Sequence, residues 1–230
     1  MPDISLLQQQ LGIQFSNADL LKESLTHRSY INENPSWNLP HNERLEFLGD
    51  AVLELIVTDY LFSKYPQYEE GRLTSIRAAL VNYVALSKVA KTLGIEEYLL
   101  LSKGEARDTG KAREVILANS VEALLGSIYL DKGYEVVKDF VYKYVLVNVE
   151  EIVGRNLDKD AKSLFQEIAQ EQFKITPMYK VLEEYGPDHH KTFVVGVFLN
   201  ENKVAEGSGL SKQEAELEAA RKGLHVFKTS

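Results

Sequence analysis

Cysteine is absent from all 230 residues, which removes disulfide frameworks, thiolate zinc sites and thiol nucleophiles and permits a reducing compartment. Lone histidines remain available as ligands. No apolar run approaches the roughly 20 residues that a membrane span needs. The opening MPDISLLQQQLG also lacks the basic and apolar regions of a secretory leader. The expectation is a cytoplasmic protein with no membrane association. An excess of positive charge is missing too. Lysine and arginine number 26 against 34 acids, for a net charge of -8. Through Lys159 there are 17 basic and 23 acidic residues, and beyond it 9 and 11. Neither half attracts phosphate broadly, so any contact with nucleic acid must be local.

What is present is enough apolar residue, 44% of the chain, to bury a core in one or two domains. Apolar periodicity of the helical kind runs through Ile4 to Leu11, Ala18 to Leu25, Arg44 to Lys64, Thr74 to Leu93, Val115 to Leu130 and Tyr134 to Val149. The breaks carry turn residues: Asn34-Pro35, Leu39-Pro40, Tyr65-Pro66, Gly94, the surroundings of Gly104 and Gly110, and Asp131-Lys132-Gly133. This part reads as all helix. A short polar stretch, 153–159, reads as a flexible linker. After it the pattern changes to a helix over Ala161 to Phe173, alternating strands over Tyr179 to Tyr185 and Thr192 to Leu199, and a short strand from Lys203 to Gly207. Ser211 then caps a last helix, with Glu214 three residues on completing a capping box.

Glu43, Glu46, Asp50 and Glu54 fall at i, i+3, i+7 and i+11, one stripe of a helix. On spacing alone this is the solvated outer face of an amphipathic helix. Carboxylates so placed repel, and the repulsion is offset by water and counter-ions or by a bound divalent cation. Two details favour a site. Phe47 projects beside the stripe, where a large ring points to a partner surface. Gly49 interrupts a good helix, as happens where another backbone or a substrate comes close. A second candidate lies in the nearly all-apolar segment from Ile116 to Gly126, with Asn119 and Glu122 one turn apart. A buried acid is rare unless paired or metal-bound. Either Glu122 pairs with an arginine such as Arg77, or the two helices pack and Glu46, Asp50, Asn119 and Glu122 form an all-oxygen site suited to Mg²⁺ or Mn²⁺.

The run Asn42 to Asp50, NERLEFLGD, resembles the signature of ribonuclease III. The likeness continues through Glu69 to Thr74, Arg77 to Val81, Lys103-Gly104-Glu105 and Ile116 to Gly126. Past the linker, Lys162 to Gln170, Gly186 to His189 with Phe193, and Gly209 to Ala220 resemble a double-stranded-RNA-binding domain. The resemblance implies an all-α endonuclease domain over 1–152, a linker over 153–159 and a small α+β domain of α-β-β-β-α order over 160–230.

It further implies a homodimeric endoribonuclease acting on double-stranded RNA. Such an enzyme uses Mg²⁺, with Mn²⁺ able to substitute, and no small-molecule cofactor. It leaves 5′-phosphate ends and short 3′ overhangs, and processes ribosomal RNA precursors and other structured transcripts, messenger and transfer RNA among them. The metal ligands implied are Glu46, Asp50, Asn119 and Glu122. Asp50 and Glu122 stand closest to catalysis, Glu43 and Glu70 support them, and Phe47 inserts into the partner subunit at the dimer interface. Gln166, Gln170 and His189 would meet minor grooves of the RNA and Lys212 a phosphate. The chain departs from the family at Asn119, where aspartate is usual, and at Gln213, where a second lysine is common. The first departure keeps a second reading open: a double-stranded-RNA-binding scaffold weakened in catalysis. His27 and His41 fit no metal-ligand spacing and read as structural, while His190 and Lys191 add weak RNA contacts.

Overall fold

From its first described residue the chain builds α1 (Ile4–Leu11), α2 (Ala18–Ser24), α3 (Arg28–Glu33), α4 (Glu43–Lys64), α5 (Glu70–Val81), α6 (Tyr83–Thr92), α7 (Lys111–Lys132), α8 (Tyr134–Tyr144) and α9 (Val149–Gly154). The computed structural model describes residues 3–154, 161–187 and 191–228. The chain divides into two units, Met1–Asp158 and Lys159–Ser230. Of the expected linker, Val153 and Gly154 close α9, and the rest, 155–159, lies with residue 160 outside the described residues.

Helix α7 is buried on nearly every side from Ile116 to Ile128, as an all-round apolar helix must be. It packs against α4, whose Leu53, Ile56 and Val57 are fully buried. Each such side chain taken from water contributes about 1.5–3 kcal/mol. Gly49 of α4 and Gly126 of α7 sit where the helices cross. A Cβ on Gly49 would overlap the Glu122 carbonyl oxygen, and a Cβ on Gly126 would overlap that of Leu45. The two main chains therefore touch directly, and the close approach expected at Gly49 is made by a backbone.

The stretch Thr74 to Leu93, periodic throughout, is two helices rather than one. Asn82 breaks it with extended backbone, φ -66° and ψ 160°. Its Oδ1 accepts from the Ala85 N–H at 3.0 Å, while its Nδ2 donates to the Ala78 and Ala79 carbonyls at 3.1 Å. One side chain thus closes one helix and starts the next. The stretch Tyr134 to Val149 is likewise divided, by a 3₁₀ turn at Leu146–Asn148. Helix α3 carries no long apolar pattern. His27 caps it, its ring accepting from the Ser29 N–H at 3.3 Å, which gives that histidine the structural place expected of it. No described helix is long and apolar enough to cross a membrane.

The second unit is α10 (Ala161–Phe173), β1 (Met178–Tyr185), β2 (Thr192–Leu199), β3 (Asn202–Gly209) and α11 (Lys212–Lys228), the strands forming an antiparallel sheet of order β1-β2-β3. Phe165, Ala169, Val197, Leu199, Ala219 and Ala220 make its core, with Phe165 stacked on Phe227 at 4.9 Å. Strand β1 is not half-buried as its alternation suggested; every residue but Tyr179 is exposed. It is an edge strand, and its register slips between Val181 and Glu183, leaving Leu182 as a bulge. Ser211 Oγ accepts from the Glu214 N–H at 3.1 Å as a capping residue should, but the Glu214 carboxylate returns to the Leu210 N–H at 2.9 Å, one residue earlier than a standard capping box.

Candidate active site

The α4–α7 contact brings the acid stripe of the first helix against the Asn119–Glu122 turn of the second. Glu122 lies half-buried in this array. Its carboxyl is pushed up to about 8, by burial first and then by the negative charges of Asp50, Glu46 and Glu54. All three neighbours acting on it are acids. Arg77, the alternative partner, instead donates to Thr58 Oγ1 at 2.9 Å. Glu46 is also raised, by burial first, then by Glu43 and Asp50, with a hydrogen bond from the Asn119 side chain working the other way. Asn119 thus meets Glu46 as an amide donor, which an aspartate could do only when protonated.

Glu43 stands at the rim, with the Arg28 guanidinium 3.5 Å and the His41 ring 3.8 Å from its carboxylate. Arg28 was not a candidate from the sequence, because nothing in local patterning links it to a residue on the next helix. Glu54, an unassigned member of the stripe, belongs to the field around Glu122. Glu70 is not brought to the four. It accepts from Thr74 Oγ1 at 3.1 Å and lines a pocket with Thr58, Leu61, Phe62, Tyr68, Leu73 and Arg77. Thr58 lies eight residues beyond Asp50 on α4, about 12 Å at the helical rise. Phe47 is 81% exposed beside the acids.

In the second unit, Gln166 and Gln170 lie on the exposed face of α10 with Ser163, Glu167 and Glu171. Lys212, the first residue of α11, lies over the Phe193 ring at 5.6 Å and 3.7 Å from the Glu184 carboxylate. His189, with His190, lies outside the described residues.

Residues 17–149 match the family model described as ribonuclease-III-like, and residues 161–226 match that of the double-stranded RNA binding motif. The chain belongs to the ribonuclease III family. It is 44% identical over 228 residues to Ribonuclease 3 of Syntrophobacter fumaroxidans, covering 97% of this chain and 94% of that protein. To Ribonuclease 3 of Borreliella burgdorferi it is 42% identical over 224 residues, covering 97% and 91%. Among solved structures, a nuclease domain of ribonuclease III from Campylobacter jejuni shares the fold at TM-score 0.57 and 39% identity, covering 63% of this chain and 96% of that one. With both modules in one ribonuclease III chain, this is an endoribonuclease specific for double-stranded RNA. Membership brings divalent-metal use with it. Among the described residues no three His, Asp or Glu side chains close into a metal cage by themselves. The donors that do gather, carboxylates plus one amide, are hard oxygens of the kind Mg²⁺ prefers.

Proposed function

We propose that this ribonuclease hydrolyses phosphodiester bonds of duplex RNA with Mg²⁺ held by Glu46, Asp50, Asn119 and Glu122, and that Mn²⁺ can substitute. The observation that carries this reading is Glu122, a half-buried carboxyl pushed up to about 8 among three other acids. Such a site favours either a proton or a cation, and a cation relieves every repulsion at once. A bound divalent ion supplies water of lowered pKa and charge stabilisation at the leaving 3′-oxygen. Asp50 and Glu122 act as its ionised oxygen ligands. Glu46 is oriented by the Asn119 amide, and Asn119 offers its remaining carbonyl oxygen. Glu43, steadied by Arg28, supports the array from outside, and Glu70 is assigned a supporting role from its separate pocket.

The products proposed are 5′-phosphate ends with short 3′ overhangs, cut from ribosomal RNA precursors and other structured transcripts in the cytoplasm. Gln166, Gln170 and His189 read minor grooves through 2′-hydroxyls, and Lys212 meets phosphate. The enzyme works as a homodimer through its nuclease domain. Phe47, exposed next to the acids, is the ring each subunit offers its partner. The Campylobacter jejuni nuclease domain, similar to this one, is described as flexible in a region involved in dimer formation.

Duplex cleavage assays test the site. Asp50→Asn and Glu122→Gln are each expected to abolish cutting in Mg²⁺ while leaving duplex binding in EDTA largely intact. Full activity in either variant removes the assignment.

A further inference from the structure

The lysine ion pairs described in the RNA-binding unit include Lys162 with Glu216, Lys203 with Glu206, and Lys222 with Glu218. Glu184 lies within ion-pair distance of two lysines at once. Its Oε2 lies 2.7 Å from the Lys191 ammonium and its Oε1 3.7 Å from that of Lys212. The three groups gather around one ring. Glu184 is paired across the sheet with Phe193, and both lysines lie over the Phe193 ring, at 5.9 Å and 5.6 Å. The lysines come from different elements, one just before β2 and one opening α11, so sequence proximity does not force them together. One carboxylate between two ammonium groups leaves a single positive charge over, which is the charge a phosphate would match. The Glu184 carboxyl is held below its ordinary range by hydrogen bonding from Lys191 first, with Lys212 adding to it.

We propose that Glu184 is an internal counter-ion that competes with RNA phosphate for Lys191 and Lys212, and so sets the strength and salt dependence of duplex binding. This rests on the reading that Lys212 meets phosphate. A lysine free in solution that contacts phosphate displaces a condensed cation, and this release drives binding. A lysine already held by Glu184 must leave it first. The vacated carboxylate then gathers a cation of its own, cancelling much of the release at phosphate. With Gln213 standing where the family commonly has a second lysine, the domain's grip on phosphate is tempered twice, once by a missing cation and once by an acid occupying those present.

The test uses the full chain, a fluorescein-labelled RNA duplex, EDTA to prevent cleavage, and anisotropy titrations across a series of KCl concentrations. Glu184→Gln is expected to bind about threefold tighter or more at low salt, with log Kd against log salt steeper by about one ion. Glu183→Gln, which removes the same charge one residue away, is expected to leave both unchanged. Lys212→Ala is expected to weaken binding and flatten the slope, and Glu184→Gln added to Lys191→Ala/Lys212→Ala to change nothing further. If Lys212→Ala weakens binding but Glu184→Gln leaves affinity and slope as they were, or weakens them, the counter-ion role is overturned and the phosphate contact stands. If Glu183→Gln reproduces the effect, general charge is the cause and the proposal fails. If Lys212→Ala leaves affinity and slope unchanged, the phosphate contact fails and the proposal with it.

Discussion

Gly49 meets the backbone of Glu122 so closely that no side chain fits between them. The glycine that weakens α4 as a helix is thus the residue that lets the acid stripe reach its partner helix. Replacing Gly49 with alanine is expected to force the helices apart, costing about 3 kcal/mol or more, at the upper end of overpacking. A thermal melt reads the stability, and cleavage should fall further than the melt alone accounts for, because Glu46 and Asp50 move away from Asn119 and Glu122. A variant with unchanged melting temperature and activity would refute the crossing geometry.

The protonation of Glu122 fixes a pH dependence. Its folded pKa lies at about 8, above the ordinary 4.5 of the unfolded chain, so between those values the folded state binds the more protons. Stability of the metal-free protein therefore falls as pH rises from about 4.5 toward 8. Glu122→Gln is expected to flatten that fall in melts taken across this range. Added Mg²⁺ should raise the melting temperature more at pH 8 than at pH 5, since the ligands must be ionised to bind it.

Asn119→Asp adds a charge at a proposed ligand and replaces the amide that donates to Glu46. The expected outcome is tighter metal binding, with the half-saturating Mg²⁺ concentration lowered roughly tenfold by the added ligand charge. Rates over a Mg²⁺ titration measure it. Cutting by the substituted protein alone, and never by the chain as it stands, would favour the scaffold reading.

Asp131 offers a stability test within the nuclease unit. Its carboxylate accepts from the Ser16 and Asn17 N–H groups at 2.8 Å each, joining the end of α7 to the approach to α2. Asp131→Ala should lose about 2–3 kcal/mol, the scale of charge-assisted hydrogen bonds, seen in denaturant unfolding of the nuclease unit. Duplex affinity in EDTA should be unaffected.

The Phe47 ring provides a test of assembly. Phe47→Ala is expected to shift the protein toward monomer in sedimentation, with little loss of monomer stability, because the residue is 81% exposed. A dimer mass that stays unchanged in the variant takes the role away from this ring.

Periodicity revealed the helices whose burial is one-sided or complete, and so α1, α4 and α7 were legible from the chain alone. The convergence of Glu46 with Asn119 was not, since spacing says which residues share a helix face and nothing of which helix will face it; the family signature supplied that step. The break at Asn82 escaped because apolar residues continue on both sides of it and asparagine opposes helix only mildly. Its effect comes from hydrogen bonds made by a single side chain.

The bulge at Leu182 has a consequence for Glu183 and Glu184. With the extra residue in place, Glu184 is the one paired with Phe193. If β1 ran on regularly from the Val181–Val195 pair, Glu183 would take that position, and every following side chain would change face. Because the two adjacent residues are both glutamate, a carboxylate arrives beside Lys191 and Lys212 in either alignment. The doubling makes the negative charge at that spot tolerant of a one-residue slip in the edge strand.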